Sequence, residues 1–120
     1  MVTINGIILF VHDIERLRQF YTSHFNLGVA EEIVSEWVLL QAGACQLGLH
    51  KAGEGYIPTS GNDKNSKIVF ELNEDIFAFH ATLKEKGVTV REVKTWENYG
   101  YWVCDGEDPE GNVFQVKMKK

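Results

Sequence analysis

The sequence is poor in cysteine, in excess basic charge and in long apolar runs. Its two cysteines, Cys45 and Cys104, are too few for a disulfide framework and are not spaced as CxxC. We therefore expect two reduced, buried thiols in a cytoplasmic protein. The 12 basic residues are outnumbered by 17 acidic ones, giving a net charge of −5. That balance argues against nucleic acid as a partner, because phosphate binding requires a basic surface.

No apolar stretch approaches the length that crosses a membrane. The first residues also lack a basic segment ahead of their apolar run, so they do not read as a signal peptide. We expect no membrane partner. A chain of 120 residues is long enough for one domain, or for two small halves that share a core.

Hydrophobic periodicity divides the chain into two halves with the same order of elements. In the first half an apolar run predicts a strand over residues 4–11, and Asp13 is a candidate N-cap for a helix that ends near Asn26. Three more strands are predicted over residues 30–35, 37–41 and 45–51. The second half predicts a strand over 67–72, a helix from Asp75 to Gly87, and strands over 88–95, 101–105 and 113–119.

The repetition predicts an α+β fold of two βαβββ units, residues 1–51 and 67–120, within a single domain. Asp13-Ile14 and Asp75-Ile76 open the two helices in the same way. One such unit cannot bury both faces of its sheet, so we expect the two to pack together. The polar segment 52–66 is long for a connection, and it is either a linker or a flap that folds over a bound ligand.

Two local signatures within this repeat resemble a known family. The first half opens as strand, Asp and helix with the pair Phe20-Tyr21, and the chain closes with the turn "DPEGN" at residues 108–112. Together they resemble the vicinal oxygen chelate superfamily, which includes glyoxalases, extradiol dioxygenases, and fosfomycin and bleomycin resistance proteins. The resemblance spans nearly the whole chain. It implies mixed sheets that curl around an open cleft, and a homodimer.

Catalytic members of that superfamily hold one divalent metal through His or carboxylate ligands. The resemblance places the four ligand positions at Gly6, at Leu47 or Gly48, at Lys67 and at Gln115. Glycine and leucine offer no donor, a protonated lysine repels a cation, and an amide is a weak ligand. The chain therefore resembles the metal-free, bleomycin-resistance-like branch, which implies no metal, no other cofactor and no catalytic residue.

Aromatic residues cluster before the closing turn, where they could line a binding cleft. Aromatic faces stack on planar ligands and attract cations, and the net negative charge would help to recruit a cationic ligand. We predict metal-independent binding of a small, partly planar organic molecule, such as an antibiotic or a toxic metabolite, in a sequestration or resistance role. The candidate ligand-binding residues are Trp37, His50, Lys67, Glu71, Trp96, Tyr99, Trp102 and Gln115.

Alternative interpretations stay open. Alternation puts Tyr101 and Trp102 on opposite faces of their strand, so at most half of these aromatic residues line one cleft, and core packing is the other interpretation. A lyase- or dioxygenase-like metalloenzyme with displaced ligands would use His50 and Glu71. A partner-binding module would have a cleft filled by its own side chains.

Overall fold

The computed structural model describes residues 1–56 and 64–120. The chain divides into two compact units between residues 58 and 59. Each unit contains one helix and one four-stranded mixed sheet, which confirms the predicted α+β class and the two βαβββ units. Of the segment considered as a flap, residues 57–63 lie outside the described residues.

The first unit is a sheet with strand order β1-β4-β3-β2 and one covering helix. Strands β1 and β4 are parallel, while the other neighbours are antiparallel. The elements are β1 (Gly6–Val11), α1 (Ile14–Phe25), β2 (Gly28–Ile33), β3 (Trp37–Ala42) and β4 (Cys45–Lys51). The prediction for β4 is confirmed at both ends, whereas β2 begins and ends two residues before the predicted strand.

Helix α1 buries its apolar side against one face of this sheet. The Asp13 carboxylate accepts a hydrogen bond from the backbone N–H of Arg16 at 3.1 Å, which caps the helix as predicted. At the other end Asn26 has a φ of +55°, a left-handed conformation that terminates the helix. Leu17 and Tyr21 are fully buried, as are Leu40 and Leu49 of the sheet. The opposite sheet face is therefore not covered by α1, and we call it the open face of the first sheet.

The second unit repeats this plan with strand order β5-β8-β7-β6. Its elements are β5 (Ile68–Glu71), α2 (Ile76–Glu85), β6 (Thr89–Val90), β7 (Tyr101–Glu107) and β8 (Val113–Lys119). The Asp75 carboxylate caps α2 by accepting from the backbone N–H of Phe77 at 2.9 Å. Cys104, Phe114 and Val116 are buried on the face that α2 covers. Their neighbours Val103, Asp105 and Gln115 point to the other side, the open face of the second sheet.

The edge strand of the second sheet is much shorter than the predicted strand over residues 88–95. Regular pairing stops at Val90, opposite Gly106, and resumes as a single bridge between Lys94 and Val103. Four residue steps on the edge strand thus correspond to three on β7, so the edge strand carries one extra residue, as in a β-bulge. Backbone hydrogen bonds from Arg91 N to Asp105 O and from Lys94 N to Val103 O keep the segment beside β7.

The turn between β7 and β8 is organised by a buried carboxylate. Asp108 is only 5% exposed. Its Oδ1 accepts from the backbone N–H groups of Glu110 at 2.9 Å and Asn112 at 3.0 Å, and its Oδ2 accepts from Asn112 Nδ2 at 2.9 Å. Gly111 takes a φ of +80°, which glycine adopts without steric cost. The "DPEGN" signature is therefore a hydrogen-bonded turn that connects β7 to β8 and fixes their register.

Candidate functional site

Two of the predicted site residues meet on the open face of the second sheet. Lys67 Nζ lies 2.8 Å from Asp105 Oδ2, and Gln115 Nε2 donates to Asp105 Oδ1 at 2.9 Å. The backbone explains the meeting, because Asp105 pairs directly with Gln115 across β7 and β8 and Val69 of β5 pairs with Gln115 from the other side. We call Lys67, Asp105 and Gln115 the polar triad.

Asp105 was not among the predicted site residues. Alternation along β7 from Tyr101 through Val103 places it on the open face, and the short "DPEGN" turn brings it opposite Gln115. Those two signals in the sequence could have identified it.

The polar triad keeps Asp105 ionised. Burial by itself would raise the pKa of this carboxyl, but hydrogen bonds from Lys67 and Gln115 and the positive charges of Lys67 and Lys94 outweigh it. The net result is a pKa below the ordinary value of 3.8. A carboxylate that is held by an ammonium on one oxygen and an amide on the other is poorly placed to act as a general base. The contact with Asp105 holds the Lys67 ammonium on the open face of the second sheet.

This pKa gives a testable pH dependence. Because the folded-state pKa of Asp105 is lowered, its contribution to stability is present above the unfolded-state pKa and is lost as the pH falls through the folded-state value. We expect wild-type protein to lose more unfolding free energy than Asp105→Asn between pH 6 and the acid range below 3.8. The difference should be about 1 kcal/mol or less, since the pair is partly solvated. Urea unfolding over a pH series measures it, and parallel curves for the two proteins would contradict the assignment.

A cavity of about 440 Å³ opens beside the polar triad. It is lined by Lys64, Asn65, Ser66, Lys67, Arg91, Asp105 and Val113, all within the second unit. The Arg91 guanidinium lies 3.4 Å from Glu107 Oε2 at the rim. The cavity is thus polar, and its charged lining is mostly basic.

Three aromatic rings lie in a row near the start of β7. The ring centroids of Trp96 and Tyr99 are 5.6 Å apart at 78°, and those of Tyr99 and Tyr101 are 5.8 Å apart at 52°. We call Trp96, Tyr99 and Tyr101 the aromatic row. The Thr95 hydroxyl donates to Tyr101 O at 2.6 Å and fastens the row to β7. Trp96 is 53% exposed, so part of its ring is accessible to solvent.

Lysines already lie over two rings of the aromatic row. Lys94 Nζ is 5.3 Å from the Trp96 ring centroid, and Lys117 Nζ is 4.3 Å from that of Tyr101. These distances fall within the range of cation–π attraction. The surroundings of the row are therefore basic even though the whole chain is acidic.

The structure does not bring Trp102 to this row. Its ring packs edge-on against Phe77 of α2, with centroids 5.1 Å apart, on the face that the helix covers. Glu71 lies on the open face opposite Lys117 in register. Of the predicted residues in the second unit, Lys67 and Gln115 form one group, and Trp96 and Tyr99 form another.

In the first unit Trp37 and His50 come together on the open face. They are register partners across β3 and β4, with ring centroids 6.0 Å apart, and the Phe10 ring lies 5.5 Å from that of His50. We call Phe10, Trp37 and His50 the first-unit patch. The Trp37 ring lies over Gly48, where an added Cβ would be 2.5 Å from Trp37 Cη2. Glycine at 48 is thus what allows the tryptophan to lie flat on the sheet.

The residues at the four expected metal positions do not fit a divalent metal. A Cβ at Gly6 would lie 2.8 Å from Gln46 O, so no ligating side chain fits there without a backbone shift. Trp37 fills the space above Gly48, while Lys67 and Gln115 are engaged by Asp105. Across residues 1–56 and 64–120 there is no group of three or more His, Cys, Asp or Glu side chains arranged to hold a metal. His50 and Glu71, the alternative ligands, belong to no such group.

Cys104 is not suited to nucleophilic chemistry. Burial raises the pKa of the Cys104 thiol to about 11, and the nearby negative charges of Asp105 and Glu92 add to the effect. Cys104 is therefore a neutral thiol at physiological pH. Its Sγ lies 3.2 Å from Arg91 O. Both cysteines are free, but Cys45 is half-buried where a buried residue was predicted, because it lies at the first position of β4.

Neither helix of the described residues has the length and apolar character needed to cross a membrane.

Comparison with solved structures shows a shared fold over nearly the whole chain. A fosfomycin resistance protein, FosX, from Listeria monocytogenes has a TM-score of 0.80 at 13% identity, covering 100% of this chain and 95% of its own. TnmS3, an antibiotic binding protein from Streptomyces sp. CB03234, has a TM-score of 0.78 at 19% identity, covering 100% and 98%. A lactoylglutathione lyase from Agrobacterium tumefaciens has a TM-score of 0.75 at 20% identity, covering 97% and 92%.

These identities establish the fold and not the activity. No curated protein matches the chain by sequence. The family model described as Glyoxalase/Bleomycin resistance protein/Dioxygenase superfamily matches residues 3–116. With the repeated βαβββ units, the "DPEGN" turn and this match over nearly its whole length, the chain belongs to the glyoxalase/bleomycin resistance protein/dioxygenase superfamily.

Proposed function

We propose that this protein binds a small, partly planar organic molecule without a metal, and that it serves to sequester an antibiotic or a toxic metabolite. The observation that carries the proposal is the polar triad. At two positions where the resemblance expects metal ligands, Lys67 supplies a cation and Gln115 an amide, and both bind Asp105. An ammonium held at this place repels a divalent ion.

Exposed aromatic side chains support binding of a planar molecule. Trp96 offers its ring in the second unit, and Phe10, 54% exposed, offers its ring in the first. Ring stacking contributes about 0.5–1.5 kcal/mol beyond the burial of apolar area. Each unit therefore carries a surface on which a flat molecule could lie.

The similar structures include both binding proteins and enzymes. TnmS3 is described as an antibiotic binding protein, in keeping with the proposal, whereas the Agrobacterium tumefaciens protein is described as a lyase. The donor set supports the binding direction for this chain. Metal-dependent lyase or dioxygenase chemistry would need ligands that the expected positions and the pair His50 and Glu71 do not provide.

The charge near the aromatic row bears on the kind of ligand. Because Lys94 and Lys117 lie over Trp96 and Tyr101, a cationic molecule stacking there would meet two positive charges. The net charge of the chain favours a cationic ligand, but the local charge at this row favours a neutral or anionic one. We give more weight to the local charge, since screening weakens charges beyond about 10 Å.

Replacing Trp96 with alanine should weaken binding of a planar ligand by roughly 2- to 10-fold, the effect of losing one stacking ring. The side chain is half exposed, so stability should change little. Fluorescence or calorimetric titration with a planar aromatic compound measures the affinity. Phe77→Ala is the matched control, because this ring is 49% exposed but lies on the side of α2. Equal affinity in Trp96→Ala and wild type would remove the aromatic row from the site.

We also propose that the protein is a cytoplasmic homodimer. Strand β1 is an edge of the first sheet, and its side chains Ile7 and Ile8 are exposed. An apolar edge of this kind is usually covered by another protein surface. Light scattering in solution tests the expected mass of two chains.

A further inference from the structure

We infer that the cavity beside the polar triad binds an oxyanion, so that the ligand carries a carboxylate, phosphate or phosphonate group. This inference rests on the proposed function and adds the chemical class of the ligand. It starts from the charge of the lining: Lys64, Lys67 and Arg91 are basic, and Asp105 is the one acidic residue in the lining of this cavity within the described part of the chain. An acidic chain with a basic cavity has concentrated positive charge at that place.

The basic side chains keep hydrogen-bond donors for a ligand. Lys67 has three N–H donors, and its contact with Asp105 Oδ2 uses one of them. Arg91 has five donors, and its contacts with Glu107 Oε2 are long, 3.4 Å from Nη1 and 3.5 Å from Nη2. An oxyanion entering the cavity could therefore be bound by both side chains without breaking the polar triad. Charge-assisted hydrogen bonds of this kind are the stronger ones in proteins.

Two carboxylates lie near the proposed anion site, and each is paired with a basic side chain that reduces its repulsion of an anion. Asp105 is neutralised by Lys67 at 2.8 Å, and Glu107 by Arg91. Counting both acids against the three basic residues leaves the surroundings of the cavity positive. Ser66 and Asn65 add a hydroxyl and an amide to the lining, and both can donate to an oxyanion.

The cavity and the aromatic row lie along the same strand. Asp105 follows Tyr101 by four residues on β7, and both point to the open face of the second sheet with Val103 between them. Four residues of strand span roughly 13 Å. Val103 is buried, so a molecule with an oxyanion in the cavity would have to extend its planar part past the side chains that cover Val103 to reach Tyr101.

The test compares one pair of probes on the full chain. Phenylphosphonate carries the anion and a ring, and benzyl alcohol is its neutral counterpart; inorganic phosphate tests the anion alone. The variant Lys64→Gln/Arg91→Gln removes two charges from the cavity, and Lys84→Gln/Lys86→Gln removes two charges from the end of α2 as the matched control. Titration calorimetry gives the dissociation constants, at low and at high sodium chloride.

We expect phenylphosphonate to bind more tightly than benzyl alcohol and to bind more weakly as salt rises. The cavity variant should weaken its binding at least roughly tenfold, and the helix variant should leave it within about twofold. Equal weakening in the two variants, or no binding of phenylphosphonate, would overturn the inference. If neutral planar compounds then bind with a dependence on Trp96, the proposed function stands without the anion. If neither class of compound binds, the proposed function fails as well.

Discussion

Asp108→Ala is expected to lower the free energy of unfolding by about 3 kcal/mol, because it removes a buried carboxylate that accepts hydrogen bonds from two backbone N–H groups and one side-chain amide. The substitution leaves the backbone N–H groups of Glu110 and Asn112 and the Asn112 side-chain amide without this acceptor. Hydrogen bonds to a charged group contribute about 1.5–3 kcal/mol each, and water entering the turn would recover part of the loss. Chemical denaturation followed by circular dichroism measures the change.

The matched control is Asp75→Ala in the same unit. That carboxylate accepts a single hydrogen bond, from Phe77 N at the start of α2, so its loss should cost about 1 kcal/mol. A loss for Asp108→Ala no greater than that for Asp75→Ala would show that the turn does not depend on the buried carboxylate.

The double variant Lys67→His/Gln115→Glu is expected to gain about one zinc ion per chain, whereas the parent protein gains none. The substitutions exchange the ammonium and the amide around Asp105 for an imidazole and a carboxylate. Because both native side chains already reach Asp105 within 3 Å, the two introduced donors and the native Asp105 carboxylate would converge on one point of the open face. Three protein ligands and one open position form a common zinc site.

The control for this gain is Gln115→Glu alone. It adds a carboxylate but keeps the Lys67 ammonium 2.8 Å from Asp105, so it should remain without metal. Elemental analysis after desalting gives the stoichiometry, and circular dichroism establishes that each variant is folded. Stoichiometric zinc in the unsubstituted protein, or none in the folded double variant, would contradict the role given to the polar triad.

The repeat and the helix caps could be predicted because they rest on local chemistry. Asp13 and Asp75 each cap a helix through a side chain that reaches a neighbouring backbone N–H. Alternation likewise separated Tyr101 from Trp102 correctly, since successive side chains of a strand point to opposite faces. The family resemblance identified Lys67 and Gln115 as site positions, and both side chains contact Asp105.

The features of the site that the sequence did not predict depend on contacts between residues far apart in the chain. Alternation and the short turn place Asp105 opposite Gln115, but Lys67 is 38 residues from Asp105 and no local pattern joins those two. The positions of Lys94 and Lys117 over aromatic rings follow from strand register and side-chain direction, which the net charge of the chain does not reveal. The extra residue near Arg91 interrupts a stretch whose composition favours a regular strand.

Affinity for a planar aromatic ligand before and after removal of metal tests the central claim most directly. A panel of planar aromatic antibiotics and anionic aromatic acids is titrated against the full chain, with tryptophan fluorescence as the signal. The same titration is repeated on protein treated with chelator and then desalted. We predict at least one compound whose dissociation constant is the same in both preparations. Binding that disappears with the metal and returns when zinc, nickel, iron or manganese is restored would contradict a metal-independent site.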